Sequence, residues 1–256
     1  MELFDTHCHI DFDEFEADRN SVISAAIEQG VQHILVPSVS QRRWNKTIDV
    51  CQQYQACHLA LGLHPVFIAE HQPQHLVELE QLINQHKPAA VGEIGLDFYQ
   101  KDADKEKQLL FFEKQILIAQ QYKLPIIVHN RKAHDQCISL IKEMNFTHGG
   151  IIHAFNGSIQ QAQHYISLGF LLGFGGMLTF ERSRKLQNLA KQIPLSAIVL
   201  ETDAPDMTVE QHKGERNSPE YIPYVLQALS NIKSLPPSEI ALNTTNNSKQ
   251  LFRLTP

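Results

Sequence analysis

Short apolar runs alternate with amphipathic stretches from one end of the chain to the other. The runs are Leu3-Phe4, His33-Ile34-Leu35-Val36, Leu59-Ala60-Leu61, Ala89-Ala90-Val91, Pro125-Ile126-Ile127-Val128, Gly150-Ile151-Ile152, Phe170-Leu171-Leu172 and Ala197-Ile198-Val199-Leu200. Each is brief and almost wholly apolar, the pattern of a strand buried on both faces. Between them apolar residues recur at helical spacing, as in Ile23/Ala26/Ile27, Leu76/Leu79/Ile83, Leu109/Phe112/Ile116/Ala119 and Ile222/Val225/Leu226/Leu229. Eight such repeats in 256 residues match the count that closes a (β/α)8 TIM barrel, an α/β fold of about 250 residues. No linker, low-complexity tract or charge block marks a boundary, so residues 1–256 are expected to form one barrel domain. A doubly wound open sheet is the competing architecture, but the chain lacks a glycine-rich first turn of the dinucleotide-binding kind.

Composition narrows the function classes. Hydrophobic content of 43% and charged content of 20% suit a globular protein. A formal charge of −6 argues against an extended DNA-coating surface, yet leaves room for an enzyme that grips a few phosphates locally. The cysteines at 8, 51, 57 and 137 form no C-x-x-C and no framework spacing, which points to reduced thiols. Neither a secretory leader pattern nor a membrane-spanning apolar run is present, so no membrane association and a cytoplasmic location are expected.

Polar residues follow the apolar runs with regularity. The first run leads into His7 and His9, the third into His64, the fourth into Glu93, the fifth into His129, the sixth into His153 and the eighth into Glu201-Thr202-Asp203. His7 and His9, one residue apart on extended chain, share a face and form a bidentate seat for a divalent metal, with Cys8 turned the other way. In a barrel the C-terminal strand ends surround one pit, so these residues become neighbours. Any single one could be an ordinary rim histidine or a solvated acid. Glu93, flanked by glycines in an apolar stretch, needs a compensating cation if buried. The set is too large for one catalytic zinc and about right for two metals bridged by a carboxylate and a water. His64 could assist catalysis, touch a ligand or simply cap the rim. Arg131 is a candidate phosphate clamp, and Gly173-Phe174-Gly175-Gly176, followed by Arg182, Arg184 and Lys185, either offers N–H groups to a phosphate or merely lets the loop turn.

Asp5-Thr6-His7-Cys8-His9, Gly62-Leu63-His64-Pro65, Gly92-Glu93-Ile94-Gly95-Leu96-Asp97, His129, His153 and Glu201-Thr202-Asp203-Ala204-Pro205 resemble the signature set of the TatD family of metal-dependent hydrolases. The spacing and Arg216-Asn217-Ser218-Pro219 look most like its YjjV-type branch. The resemblance implies a binuclear site in which His7, His9 and Asp203 hold one metal, His129 and His153 hold the other, and Glu93 bridges them. It also implies Mg2+- or Mn2+-dependent DNase activity that removes nucleotides from a 3′ end, while the mixed donor set admits Zn2+ as well.

The expected reaction is phosphoester hydrolysis on DNA ends or a small phosphoester, with Glu93 and Asp203 catalytic and Asp203 orienting water and accepting its proton. His64, Arg131 and Arg216 are the substrate-phosphate candidates. Two rivals stand beside this expectation: a binuclear amidohydrolase cleaving a C–N or C–O bond of a small metabolite, and a metal-stabilised binding protein without turnover.

Overall fold

The computed structural model describes residues 1–99, 102 and 104–254. Eight parallel strands run in sequence order around one sheet. They are β1 (Leu3–Asp5), β2 (Val31–Pro37), β3 (Cys57–Leu61), β4 (Ala90–Asp97), β5 (Ile126–Arg131), β6 (Gly150–Ile152), β7 (Phe170–Phe174) and β8 (Ile198–Leu200). Every apolar run named above falls on a strand, and the barrel expected from their count is the fold observed. The ring closes where β8 meets β1: the Thr6 N–H donates to the Leu200 carbonyl at 3.0 Å, and Cys8 and Ala204 form a parallel bridge just beyond.

The α-helices are α1 (Arg19–Glu28), α2 (Trp44–Gln53), α3 (Pro73–His86), α4 (Lys105–Tyr122), α5 (His134–Glu143), α6 (Ile159–Ser167), α7 (Arg184–Gln192), α8 (Ile222–Lys233) and α9 (Pro237–Phe252), with short 3-10 turns in the connections. Among the described residues, no helix is long and apolar enough to cross a membrane.

The barrel is filled rather than hollow. Phe4, Leu35, Ala60, Ala90, Ile127, Ile151 and Val199, one each from seven strands, form an inner cluster with Phe252 from the end of α9. Because strand side chains alternate faces, the inward residue two positions further along stands one layer higher. Above Ile127 and Ile151 come His129 and His153, and above Val199 comes Glu201. The same periodicity that packs the inner core therefore delivers polar groups to the C-terminal mouth.

Strand β4 departs from regular pairing at the point that matters. Val91 pairs with Ile126 and Ile94 with Val128, so three steps on β4 face two on β5. The extra residue is a bulge, a device that re-aims side chains. It lies at Gly92-Glu93, so Glu93 sits within β4 rather than at its end, and the strand continues to Asp97. Two buried glutamines of α4 hold the adjoining backbone. Gln108 accepts from the Asp97 N–H at 2.8 Å and donates to its carbonyl at 3.0 Å, and Gln115 does the same for Leu63 at 2.7 and 3.2 Å.

Candidate metal centre

Glu93 stands at the middle of the mouth with 2% of its surface exposed. Its Oε2 faces His7 Nε2 at 3.2 Å and His9 Nε2 at 3.6 Å. Its Oε1 faces His129 Nδ1 and His64 Nε2, each at 3.2 Å. Asp203 approaches from the barrel seam, with Oδ1 3.8 Å from His7 Nε2 and 3.7 Å from His9 Nε2, and Oδ2 3.6 Å from His153 Nε2. The main chain fixes this approach: the Asp203 N–H donates to the His7 carbonyl at 2.8 Å, and the His9 N–H donates to the Ala204 carbonyl at 2.8 Å. All six residues read as a metal set thus share one location. Three overlapping donor groups arise, His7/His9/Glu93, His7/His153/Asp203 and His64/Glu93/His129.

The structure refines the expected partition. His153 stacks on His7 with ring centroids 3.7 Å apart, whereas its centroid is 6.5 Å from that of His129. The histidine that shares Glu93 Oε1 with His129 is His64, a residue read from sequence only as a substrate contact or rim cap. His64 differs chemically from the others. Its Nδ1 accepts the Val66 N–H at 3.1 Å, so the ring proton is on Nε2 and points at Glu93. A nitrogen that carries a proton has no lone pair for a cation, which makes His64 a hydrogen-bond donor to the central carboxylate.

His9, His129 and His153 each turn one nitrogen inward while an outer group faces the other. His9 Nδ1 lies 3.1 Å from the Pro37 carbonyl, which can only accept, so His9 Nε2 is unprotonated. His129 Nε2 lies 3.1 Å from Asp97 Oδ2, freeing Nδ1 to face Glu93. His153 Nδ1 lies 3.1 Å from Glu201 Oε1, which also accepts the Ala154 N–H at 2.7 Å. Such outer partners orient ligand imidazoles and raise their basicity. Asp5 supports the seam by accepting from the His7 N–H (3.2 Å), the Thr202 N–H (2.9 Å) and the Thr202 hydroxyl (2.6 Å). Asp97, Glu201 and Asp5 were visible inside the motifs but carried no role. The usable signal was an acid near each ligand strand end, and only the fold shows which imidazole each one serves.

Electrostatics favour cations here. Burial pushes Asp203 up to about 7, with the Glu93 and Glu201 charges adding to it against His153. Burial also opposes ionisation of Glu93, but His64, His7 and His129 outweigh it and hold the carboxyl well below its ordinary range. Burial works against charge on His153, yet Glu201 and Asp203 raise it to about 10. Burial and the neighbouring His153 hold His7 well below its ordinary value, against Glu93. Within this cluster His7 Nδ1, His153 Nδ1 and Glu201 Oε2 are buried with no hydrogen-bond partner among the described residues, so Glu201 meets His153 as an ion pair. His7 Nε2 and His9 Nε2 are 3.2 Å apart with at most one proton between them. Imidazole nitrogens converging on crowded carboxylates fit divalent ions of the kind that the two ligand types share.

A cleft of about 660 Å³ opens over the cluster, walled by His9, His64, His153 and Asp203 with Asn130 and Arg131 on one side. Arg131 therefore reaches the cleft, with its guanidinium stacked 3.7 Å over the Tyr99 ring. Arg216 does not. It forms a bidentate pair with Asp18 at 3.0 and 2.7 Å and lies over the Phe15 ring at 4.3 Å, so a loop arginine read as a phosphate contact is a structural tie to the start of α1. The glycine segment starts within β7 and has a packing role: a Cβ on Gly173 would come within 2.2 Å of Glu201 Oε2.

The family model described as TatD related DNase matches residues 4–253. The chain belongs to the TatD family of metal-dependent hydrolases. It is 36% identical over 254 residues to the uncharacterized metal-dependent hydrolase YjjV of Escherichia coli K12, covering 98% of each chain. It is 34% identical over 253 residues to the uncharacterized metal-dependent hydrolase YabD of Bacillus subtilis, covering 98% of this chain and 99% of that one. The crystal structure of the E. coli YjjV protein superposes with a TM-score of 0.95, covering 99% of this chain and 98% of that one. A TatD-family hydrolase from Entamoeba histolytica, 25% identical, gives 0.88 over 100% of this chain and 99% of its own. The family resemblance read from the motifs is thereby borne out.

Proposed function

We propose that this chain hydrolyses phosphoester bonds, as a phosphodiesterase of the TatD-like deoxyribonuclease type acting at 3′ ends. The observation that carries the reading is the position of Glu93, whose two oxygens turn towards two separate sets of imidazole nitrogens. His7, His9 and Asp203 would hold one divalent ion, and His129 would hold a second on the far side of Glu93, with His153 beside Asp203. The mixed donor set admits Mg2+, Mn2+ or Zn2+. A divalent pair supplies Lewis acidity, acidifying water and drawing charge from the phosphoryl oxygens.

The protein's own groups do the rest. Asp203, at the cleft face with one oxygen towards His7 and His9 and the other towards His153, is placed to take a proton from water. It removes the proton from water as the new P–O bond forms and returns it to the ester oxygen as the old P–O bond breaks, giving a phosphate and an alcohol. The His64 Nε2–H steadies Glu93, and Arg131 at the wall offers a cation to the negative phosphoryl group.

The test compares a chromogenic phosphodiester and a single-stranded oligonucleotide with ester and lactam substrates, under Mn2+, Mg2+ and Zn2+. Metal-dependent turnover of the phosphodiesters is expected. Faster hydrolysis of the lactam or carboxylic ester would transfer the site to amidohydrolase chemistry. No turnover of any class, with ions bound, would leave a binding protein.

A further inference from the structure

A second cavity, of about 420 Å³, adjoins the metal cleft, and Ala154, Asn156 and Met207 line both. Its inner wall is apolar: Phe155 and Phe174, whose rings meet edge to face with centroids 6.5 Å apart, and Leu189, with Met177 and Leu186 partly exposed towards the opening. Among the described residues the charged ones lining it are Arg182 and Lys185, both exposed, with the Arg182 guanidinium 5.2 Å over the Phe180 ring. Glycines 157, 173 and 175 add bare backbone. The volume lies in the range of small-ligand sites, and an apolar cavity with a few polar groups at its edge is the usual form of such a site.

The geometry points to a specificity pocket that takes a planar, uncharged ring carried on the phosphoester, one linkage away from the scissile phosphorus. This inference rests on the reading of the metal cleft as a phosphoester site. A ligand whose phosphate lies over Glu93 and Asp203 can pass its ester substituent across the shared wall of Ala154, Asn156 and Met207. Aromatic and aliphatic side chains then cover the ring, and the Met177 and Met207 thioethers contact its edge, as sulfur does favourably with aromatic systems. Arg182 and Lys185 face whatever negative charge extends beyond the ring, as in a substrate with a second phosphate. Methyl or glycerol esters would leave the cavity unfilled.

The test is calorimetric binding to the metal-loaded protein, with inorganic phosphate, glycerol phosphate and phenyl phosphate as probes. Phenyl phosphate should bind about tenfold or more tightly than glycerol phosphate, the gain expected from burying a ring of that size. Met177→Trp, which fills the cavity from its own wall, should collapse that ratio towards one. If that variant fails to fold, Leu186→Trp fills the same space from α7. Equal affinity for the two esters in the native protein, or a ratio untouched by either filled variant, would overturn the pocket while leaving the phosphoester reading standing. Failure of inorganic phosphate itself to bind would overturn both.

Discussion

Asp97 Oδ2 accepts a hydrogen bond from His129 Nε2 at 3.1 Å, and this bond decides which nitrogen of His129 faces Glu93. An ionised carboxylate can only accept, so Asp97 keeps a proton on Nε2 and leaves Nδ1 as the nitrogen turned to Glu93. Burial opposes ionisation of Asp97, but the bonds from His129 and the Tyr99 N–H outweigh it and hold the carboxyl below its ordinary value.

Replacing Asp97 by Asn should reverse that tautomer, because an amide NH2 can donate to Nε2 and drive the proton to Nδ1. The backbone bonds from Gln108 do not involve the Asp97 side chain and persist. Metal affinity is therefore expected to fall by about 10- to 100-fold, the range seen when an outer partner of a ligand is lost. Titration calorimetry with Mn2+ measures it, and unchanged affinity would show that Asp97 does not orient His129.

Gly173→Ala isolates the Glu201–His153 contact. The added Cβ would stand 2.2 Å from Glu201 Oε2, the movable end of a side chain, so the carboxylate swings aside at little cost to the fold. Thermal midpoint should change by a few degrees at most, while metal affinity falls by about tenfold as His153 loses its anchor. A variant that binds metal normally would mean that Glu201 has no hold on the ring.

His153 is held at about 10 against the cost of burial, by Glu201 and Asp203, so the metal-free ring is charged at neutral pH. Coordination through Nε2 requires that proton to leave. Below that value each drop of one pH unit reduces the deprotonated fraction about tenfold, so apparent metal affinity should weaken as pH falls. Calorimetry at pH 7.5 in buffers of different ionisation enthalpy should show about one proton released through this group. His153→Ala should reduce that release by the same amount. Equal release in both proteins would remove His153 from the ligand set.

Arg216→Ala should leave turnover close to native, because the side chain is committed to Asp18 outside the cleft. The pair is partly exposed, with side chains 33% and 43% accessible, so its loss should cost about 1 kcal/mol or less. Urea denaturation and steady-state kinetics together separate the two effects, and a tenfold rise in KM with native stability would restore Arg216 as a substrate contact.

Much of the barrel was legible because strands buried on both faces have few ways to look polar. The eight runs map onto β1 to β8, and the four amphipathic stretches lie in α1, α3, α4 and α8. The other helices are harder to read. In α9, Thr244 and Ser248 are buried where an apolar stripe would be expected, their hydroxyls bonded to the Ile240 and Thr244 carbonyls at 2.9 Å. That His7, His9, Glu93, His129, His153 and Asp203 would converge was legible from their regular places after the runs. The roles of His64 and Arg216 were not, since a sequence names a charge or a ring but not its partner. Val66 N–H and Asp18 supply those partners, and both are facts of tertiary geometry.

The seam between β1 and β8 has a temporal meaning. His7 and His9 leave the ribosome about 200 residues before Asp203, and the Asp203 N–H to His7 carbonyl bond is what brings them together. During synthesis the His7–His9 segment thus waits for a partner that nothing supplies until the eighth strand arrives. Loading with metal becomes a late event, and an occupied centre certifies that both ends of the circle have met.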